Sequence, residues 1–176
     1  SLSNAYEGSG IGTVPAGYNS YEKTFMGWLK PKELKAEKVD VQALKGLAEG
    51  GDAYVIYNPE RENEYYLLEN RSAYRWDKAL PKHGLLVLHV DYDAVSWAQN
   101  TVNAQKYQRH PRFTTVPADN ILSNQTEDND TYPTALNNAL TTTSSPALSF
   151  YTGYPVADEG GVTGIAAHAD GTVSFR

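Results

Sequence analysis

The stretch Ala53-Tyr54-Val55-Ile56-Tyr57-Asn58-Pro59-Glu60-Arg61-Glu62-Asn63-Glu64-Tyr65-Tyr66-Leu67-Leu68 decides the fold class. Two runs rich in β-branched and aromatic residues, 53–57 and 64–68, flank a segment with an Asn-Pro start and a charged tip. Such side chains suit a pleated, half-buried surface, and Asn and Pro favour turns, so the pattern predicts a β-hairpin with a loop over 58–63. Downstream, Gly84-Leu85-Leu86-Val87-Leu88 is apolar without alternation and remains so, His89 apart, to Val90. That continuity predicts a strand covered on both faces at the centre of a sheet.

Working outward, Val39, Val41 and Ala43 alternate with Lys38, Asp40 and Gln42, as in a half-buried strand, and Arg112–Pro117 reads as another. Asp170-Gly171 between Gly164–His168 and Thr172–Phe175 is a strong hairpin signal. Ile121–Ser145 is long, polar and rich in Asn, Asp and Thr, the make-up of a functional or mobile loop. Near the start, Asn19 with Glu22 three residues on forms a capping box for a short helix. Tyr21, Phe25, Trp28 and Leu29 would share its apolar face, with Pro31 ending it. The expected class is mainly β (α+β): a short N-terminal helix followed by a β-sandwich-like antiparallel module, divided into 1–35 and 36–176.

The chain has 176 residues, 13 of them Tyr, and a formal net charge of -6. Its Lys and Arg gather into no patch able to track phosphates, so nucleic acid and anionic membrane surfaces are not the expected partners. No run approaches the ~20 apolar residues of a membrane-spanning helix. Without cysteine there are no disulfides, thiol nucleophiles or thiolate zinc sites. Ser1-Leu2-Ser3-Asn4 has neither an initiator methionine nor the basic and apolar regions of an export signal, so the sequence is expected to be a fragment or a processed product.

His89 and Asp91 lie two apart on the expected central strand, so their side chains share a face and form a candidate polar pair for acid–base or metal chemistry. A buried histidine bonded to a neighbouring carboxylate is the plainer use of such a pair. His110 and His168 are expected at the surface. Asp119, Glu127, Asp128 and Asp130 form the densest group of hard oxygen donors and are the candidate calcium ligands, although the EF-hand pattern of Gly and bidentate Glu is missing. Asn124-Gln125-Thr126 and Asn129-Asp130-Thr131 match the N-glycosylation pattern. There is no G-x-S-x-G elbow and no H-E-x-x-H zinc motif, so neither catalytic residues nor zinc ligands are assigned within the chain.

Several motifs occur together in one order: Pro15-Ala16-Gly17-Tyr18, Glu22-Lys23, Gly27-Trp28-Leu29, Tyr66 through Arg71, Trp76-Asp77-Lys78, His83-Gly84-Leu85-Leu86, His89-Val90-Asp91-Tyr92, His110-Pro111-Arg112 and Ala118-Asp119-Asn120. In that order the chain resembles the secreted zinc metallopeptidase family of immune inhibitor A, in the portion that follows the zinc-binding helix. The resemblance implies that 1–35 is a remnant of the catalytic lobe and 36–176 a β-rich module. It further implies an exported bacterial parent, secreted or at the cell surface, that holds zinc through residues upstream and cleaves proteins or peptides. This chain would then support the cleft, in contact with the upstream catalytic segment, and would be inactive alone. Where the family carries Ser-Leu-Met or Ser-Ile-Met, Ser1-Leu2-Ser3 stands, which leaves open an inactive parent. The alternative reading is a noncatalytic secreted binding or adhesion module on a peptidase-like scaffold, and a third is a hydrolase with its own site at His89 and Asp91.

Overall fold

β-Strand pairing around two long strands organises the computed structural model, which describes residues 3–4, 14–35, 38–104, 110–123, 125–153 and 160–176. The elements in chain order are β1 (Ser3–Asn4), β2 (Val14–Pro15), α1 (Ser20–Phe25), β3 (Lys32–Glu33), β4 (Val41–Leu44), β5 (Ala53–Asn58), β6 (Arg61–Arg71) and β7 (Gly84–Asp91). They continue with α2 (Ala94–Ala98), β8 (Phe113–Thr115), β9 (Leu140–Thr141), β10 (Gly161–Val162), β11 (Ala166–Ala167) and β12 (Val173–Phe175). The larger sheet has five strands in the order β3-β5-β6-β7-β8, and a smaller one has three in the order β11-β12-β4. The fold is mainly β with short helices, as the alternation and turn signals predict. Among the described residues every strand pairing is antiparallel except the edge pair β3–β5, which is parallel.

The β5–β6 hairpin is tighter than a loop over 58–63. Only Pro59 and Glu60 form the turn, Asn58 pairs with Arg61, and the Asn58 side chain accepts the Glu60 N–H at 3.0 Å. The charged residues Arg61–Asn63 extend β6 instead.

β7 is buried along its whole length. Its odd-numbered residues Leu85 and Val87 join Tyr66 and Leu68 of β6, Leu44 of β4, and Leu140, Leu148, Phe150, Val173 and Phe175 in one core. Its even-numbered residues Leu86, Leu88 and Val90 join Val55 and Leu67 in a second core, packed against Tyr21, Trp97 and Phe113. Burying each such aliphatic side chain is worth about 1.5–3 kcal/mol, so apolar residues on both faces hold β7 at the centre. The segment expected as a loop, Ile121–Ser145, contributes to the first core: Tyr132 and Leu140 are fully buried, and Tyr132 bridges to Leu85. Gly84 makes that bridge possible, because it sits at φ +147° and a Cβ there would lie 2.4 Å from the Tyr132 carbonyl oxygen.

The helix has the expected capping box, with Asn19 accepting from Glu22 N–H and the Glu22 carboxylate accepting from Asn19 N–H. It ends at Phe25, however, and the chain turns through Gly27 at φ +73°. Helical spacing therefore stops applying before Trp28. Tyr21 packs on Phe113 and Trp97, whereas Phe25 and Trp28 are exposed, with Trp28 set edge-on to Tyr18. The alternation at 39–43 also yields to a different pattern, since β4 buries Val41 and Leu44 and leaves Val39 and Ala43 exposed. The Asp170-Gly171 turn joins β11 and β12 as predicted.

Residues 1–2 and 5–13 of the expected N-terminal loop, and Asn124 of the first glycosylation pattern, lie outside the described residues. Among the described residues no helix is long and apolar enough to cross a membrane.

Candidate functional site

Strand register brings the polar residues of the sheet together. Across the β6–β7 pair, Glu64 faces Asp91 and Tyr66 faces His89, so all four side chains emerge on one face. Glu64, His89 and Asp91 are buried, at 0%, 5% and 2% exposure. His89 and Asp91 share a face as expected, but each has a different partner. His89 Nε2 lies 3.0 Å from Glu64 Oε1, and Asp91 Oδ2 lies 2.6 Å from His110 Nε2. Asp91 also accepts from Arg112 Nη1 at 2.8 Å and pairs with Arg61, while Arg61 reaches Glu64 at 3.6 Å.

Glu64 is further held by Asn58 Nδ2 at 2.9 Å and by the Tyr151 backbone N–H at 2.5 Å. Burial alone would raise its pKa. Hydrogen bonds from His89, Tyr151 N–H and Asn58 outweigh that penalty and hold the carboxyl below its ordinary value, so Glu64 is an anion at neutral pH. With the Glu64 carboxylate as acceptor, His89 donates through Nε2.

The rings form a column: Tyr66 stacks on His89 at 4.4 Å, His89 meets Tyr151 at 4.7 Å, and Tyr151 meets His110 at 3.9 Å. The Tyr66 hydroxyl donates to Ser149 O at 2.6 Å and that of Tyr151 to Pro111 O at 2.8 Å. Desolvation raises the pKa of both phenols, that of Tyr151 to about 12. His89 also lines a cleft of about 450 Å³ with Tyr66, Pro117, Leu122, Pro146 and Ser149. The arrangement places a carboxylate-bonded imidazole in the lining of a cleft whose other walls include Pro117, Leu122 and Pro146.

A second buried cluster lies on the opposite face of the sheet. Arg71 donates through Nη1 to Glu69 at 2.8 Å, and through Nη2 to Asp77 at 2.8 Å and to Gly17 O at 2.9 Å. Asp77 accepts the Gly17 N–H at 2.9 Å and Glu69 the Ser20 N–H at 2.5 Å. Arg71, Glu69 and Asp77 are each no more than 1% exposed, so residues 17–20 are tied to β6 by charge held away from water.

No family model, curated protein or solved structure matches the chain.

The calcium candidates are less organised. Asp119 and Glu127 act electrostatically on Asp130, whose pKa is pushed up to about 6, first by burial and then by those two carboxylates. Asp119 Oδ1 accepts the Ile121 N–H, Asp128 is exposed, and among the described residues no group of three or more His, Asp or Glu is arranged to hold a metal. His168 is exposed and bonds Ser174 Oγ at 2.9 Å. His110, expected at the surface, is instead a partner of Asp91 with its side chain 34% exposed. Sequence reasoning did not single out Glu64, Arg61, Arg112 or Tyr151. The signal available was parity on β6, where Glu64 and Tyr66 must share a face.

Proposed function

We propose that this chain is the C-terminal portion of an exported bacterial zinc metalloendopeptidase of the immune inhibitor A type, supporting a cleft whose zinc ligands belong to the parent's upstream segment. One observation carries the reading. Three motifs quoted separately for the resemblance, Pro15–Tyr18, Tyr66–Arg71 and Trp76–Lys78, meet in the single buried cluster of Gly17, Glu69, Arg71 and Asp77. In this reading the cluster clamps the end of the catalytic lobe onto the β-rich module, and the module's role is positional.

The test is to recover the native protein from culture supernatant with antibodies raised against this chain. The expected product is a polypeptide larger than 19.4 kDa that carries zinc and cleaves casein until a chelator is added. A secreted product of this chain alone that is free of zinc and activity would replace the reading with the noncatalytic binding module. The exposed Tyr18, Trp28, Tyr74 and Trp76 favour that second reading, because aromatic side chains in solvent are common at recognition surfaces. Stoichiometric zinc and cleavage by the isolated 176-residue chain would overturn both.

A further inference from the structure

The loops around the cleft lined by Pro117, Leu122 and Pro146 are fastened to one another. Asn120 Nδ2 donates to Ser145 Oγ at 3.0 Å, which joins the 117–122 wall to the 145–147 wall. Asn137 Nδ2 donates to Ala118 O at 3.0 Å and to Ser145 O at 3.2 Å, so the turn 134–137 is tied to both. Thr134 closes that turn, its Oγ1 accepting the Leu136 and Asn137 N–H groups. On this frame Ile121, Leu122 and Leu136 stand in solvent, 50%, 64% and 99% exposed. Aliphatic side chains held out on bonded loops beside a cleft gain free energy when covered and leave little backbone to order on binding.

Charge narrows what covers them. Between Arg112 and Arg176 the sequence has no Lys or Arg, whereas Asp119, Glu127, Asp128, Asp130, Asp158, Glu159 and Asp170 all fall there. Asp119 is next to the cleft residue Asn120, and Asp119 and Glu127 both act electrostatically on Asp130. An anionic membrane or an acidic partner would be repelled. A metal ion has no prepared seat, since among the described residues no group of three or more His, Asp or Glu is arranged to hold one. A second copy has little to offer, because its exposed Lys32 and Lys35 already pair with Asp52 and Glu33. We propose that this cleft docks a basic amphipathic segment of another polypeptide, an aliphatic side chain entering between Pro117, Leu122 and Pro146 while flanking Lys or Arg residues meet Asp119, Glu127 and Asp128. The proposal rests neither on the peptidase reading nor on its alternative.

The experiment titrates the full chain at pH 7.5 with acetyl-Lys-Leu-Lys-Leu-Lys-amide and follows the backbone amides by NMR. The amides of Asn120, Leu122 and Ala147 should shift along a saturable curve. The Glu-Leu counterpart of the peptide should bind at least about tenfold more weakly, and so should the Lys-Gly counterpart, which keeps the charge and loses the apolar side chains. Raising salt from about 0.1 M to about 1 M, which shortens the screening length from about 10 Å to about 3 Å, should weaken the Lys-Leu peptide severalfold. Leu122→Ala and Asp128→Lys, both at exposed positions, should each weaken it about threefold without moving the melting temperature. No saturable shift, shifts confined to residues away from the cleft, or equal affinity for any two of the three peptides would overturn the proposal. Calcium chloride that saturates the same amides, phosphatidylcholine vesicles that broaden them, or shifts that grow with protein concentration alone would give the face to a cation, a membrane or a second copy and overturn it too.

Discussion

Glu64 and Asp91 stand directly opposite each other across β6 and β7, two carboxylates on one face of a sheet, both sealed from solvent. Like charges in that position repel. Arg61 lies against both, Arg112 and His110 complete Asp91, and Asn58, His89 and a backbone N–H complete Glu64, so the repulsion is offset on each side. Every member of this group therefore depends on its neighbours.

Removing Glu64 should show that dependence. Glu64→Ala leaves His89 and the Tyr151 N–H without their acceptor and Asn58 Nδ2 with only Thr152 Oγ1, and breaking a buried charged network of this kind costs about 3–5 kcal/mol. Glu64→Gln keeps the shape and part of the bonding and should cost less. Because the folded pKa of Glu64 is depressed, its ionised form contributes stability above the unfolded value near 4.5, and that contribution is lost as pH falls through the lower folded value. Urea unfolding of wild type and Glu64→Gln should therefore show a gap at pH 7 that begins to shrink as pH falls below the unfolded value of 4.5. A gap that stays constant down to pH 3 would mean that the carboxylate charge is not what holds the site.

Much of this framework was legible in the sequence. The hairpin strands and the two-faced burial of β7 follow from periodicity, which needs no knowledge of neighbours. So does the shared face of His89 and Asp91. Their partners were not legible, because Glu64 and His110 lie 25 and 19 positions away and only the strand register and the course of the chain after β7 bring them close. The helix shows the opposite limit. Asn19 and Glu22 mark its start through local hydrogen bonds, but the apolar spacing through Trp28 misleads once Gly27 adopts a left-handed turn and leaves Phe25 and Trp28 in solvent. The polar stretch 121–145 hides Tyr132 and Leu140, two core residues brought in by distant partners, Tyr132 by its bridge to Leu85 beside Gly84 and Leu140 by its pairing with Val162.

Arg71 offers a test of the clamp between residues 17–20 and the sheet. Its planar fork spans Glu69, Asp77 and the Gly17 carbonyl at once, which a lysine ammonium cannot do from one point. Arg71→Lys should cost about 3 kcal/mol in urea unfolding, since it leaves a buried carboxylate short of a partner. The loss should also be local. The Gly17 and Ser20 amides, which donate to Asp77 and Glu69, should exchange with deuterium faster than the amides of β7. Uniform acceleration across both regions would show that Arg71 acts on global stability and not on the attachment of this segment.

Asp130 should behave in the opposite sense to Glu64. Burial and the charges of Asp119 and Glu127 raise its pKa from 3.8 to about 6, so the folded chain binds that proton more tightly than the unfolded chain. Its ionisation is therefore a penalty, complete above about pH 6 and absent below about pH 3.8. Asp130→Asn removes the charge while keeping the backbone N–H and carbonyl that bond Glu127 and Ala118. After allowance for screening by solvent at this half-buried position, the variant should be more stable by about 1 kcal/mol at pH 7.5 and no more stable at pH 3.5. Thermal melts at the two pH values check both halves. A variant that melts lower at pH 7.5, or whose gain is equally large in acid, would show that the ionised Asp130, buried beside Asp119 and Glu127, does not burden the folded state.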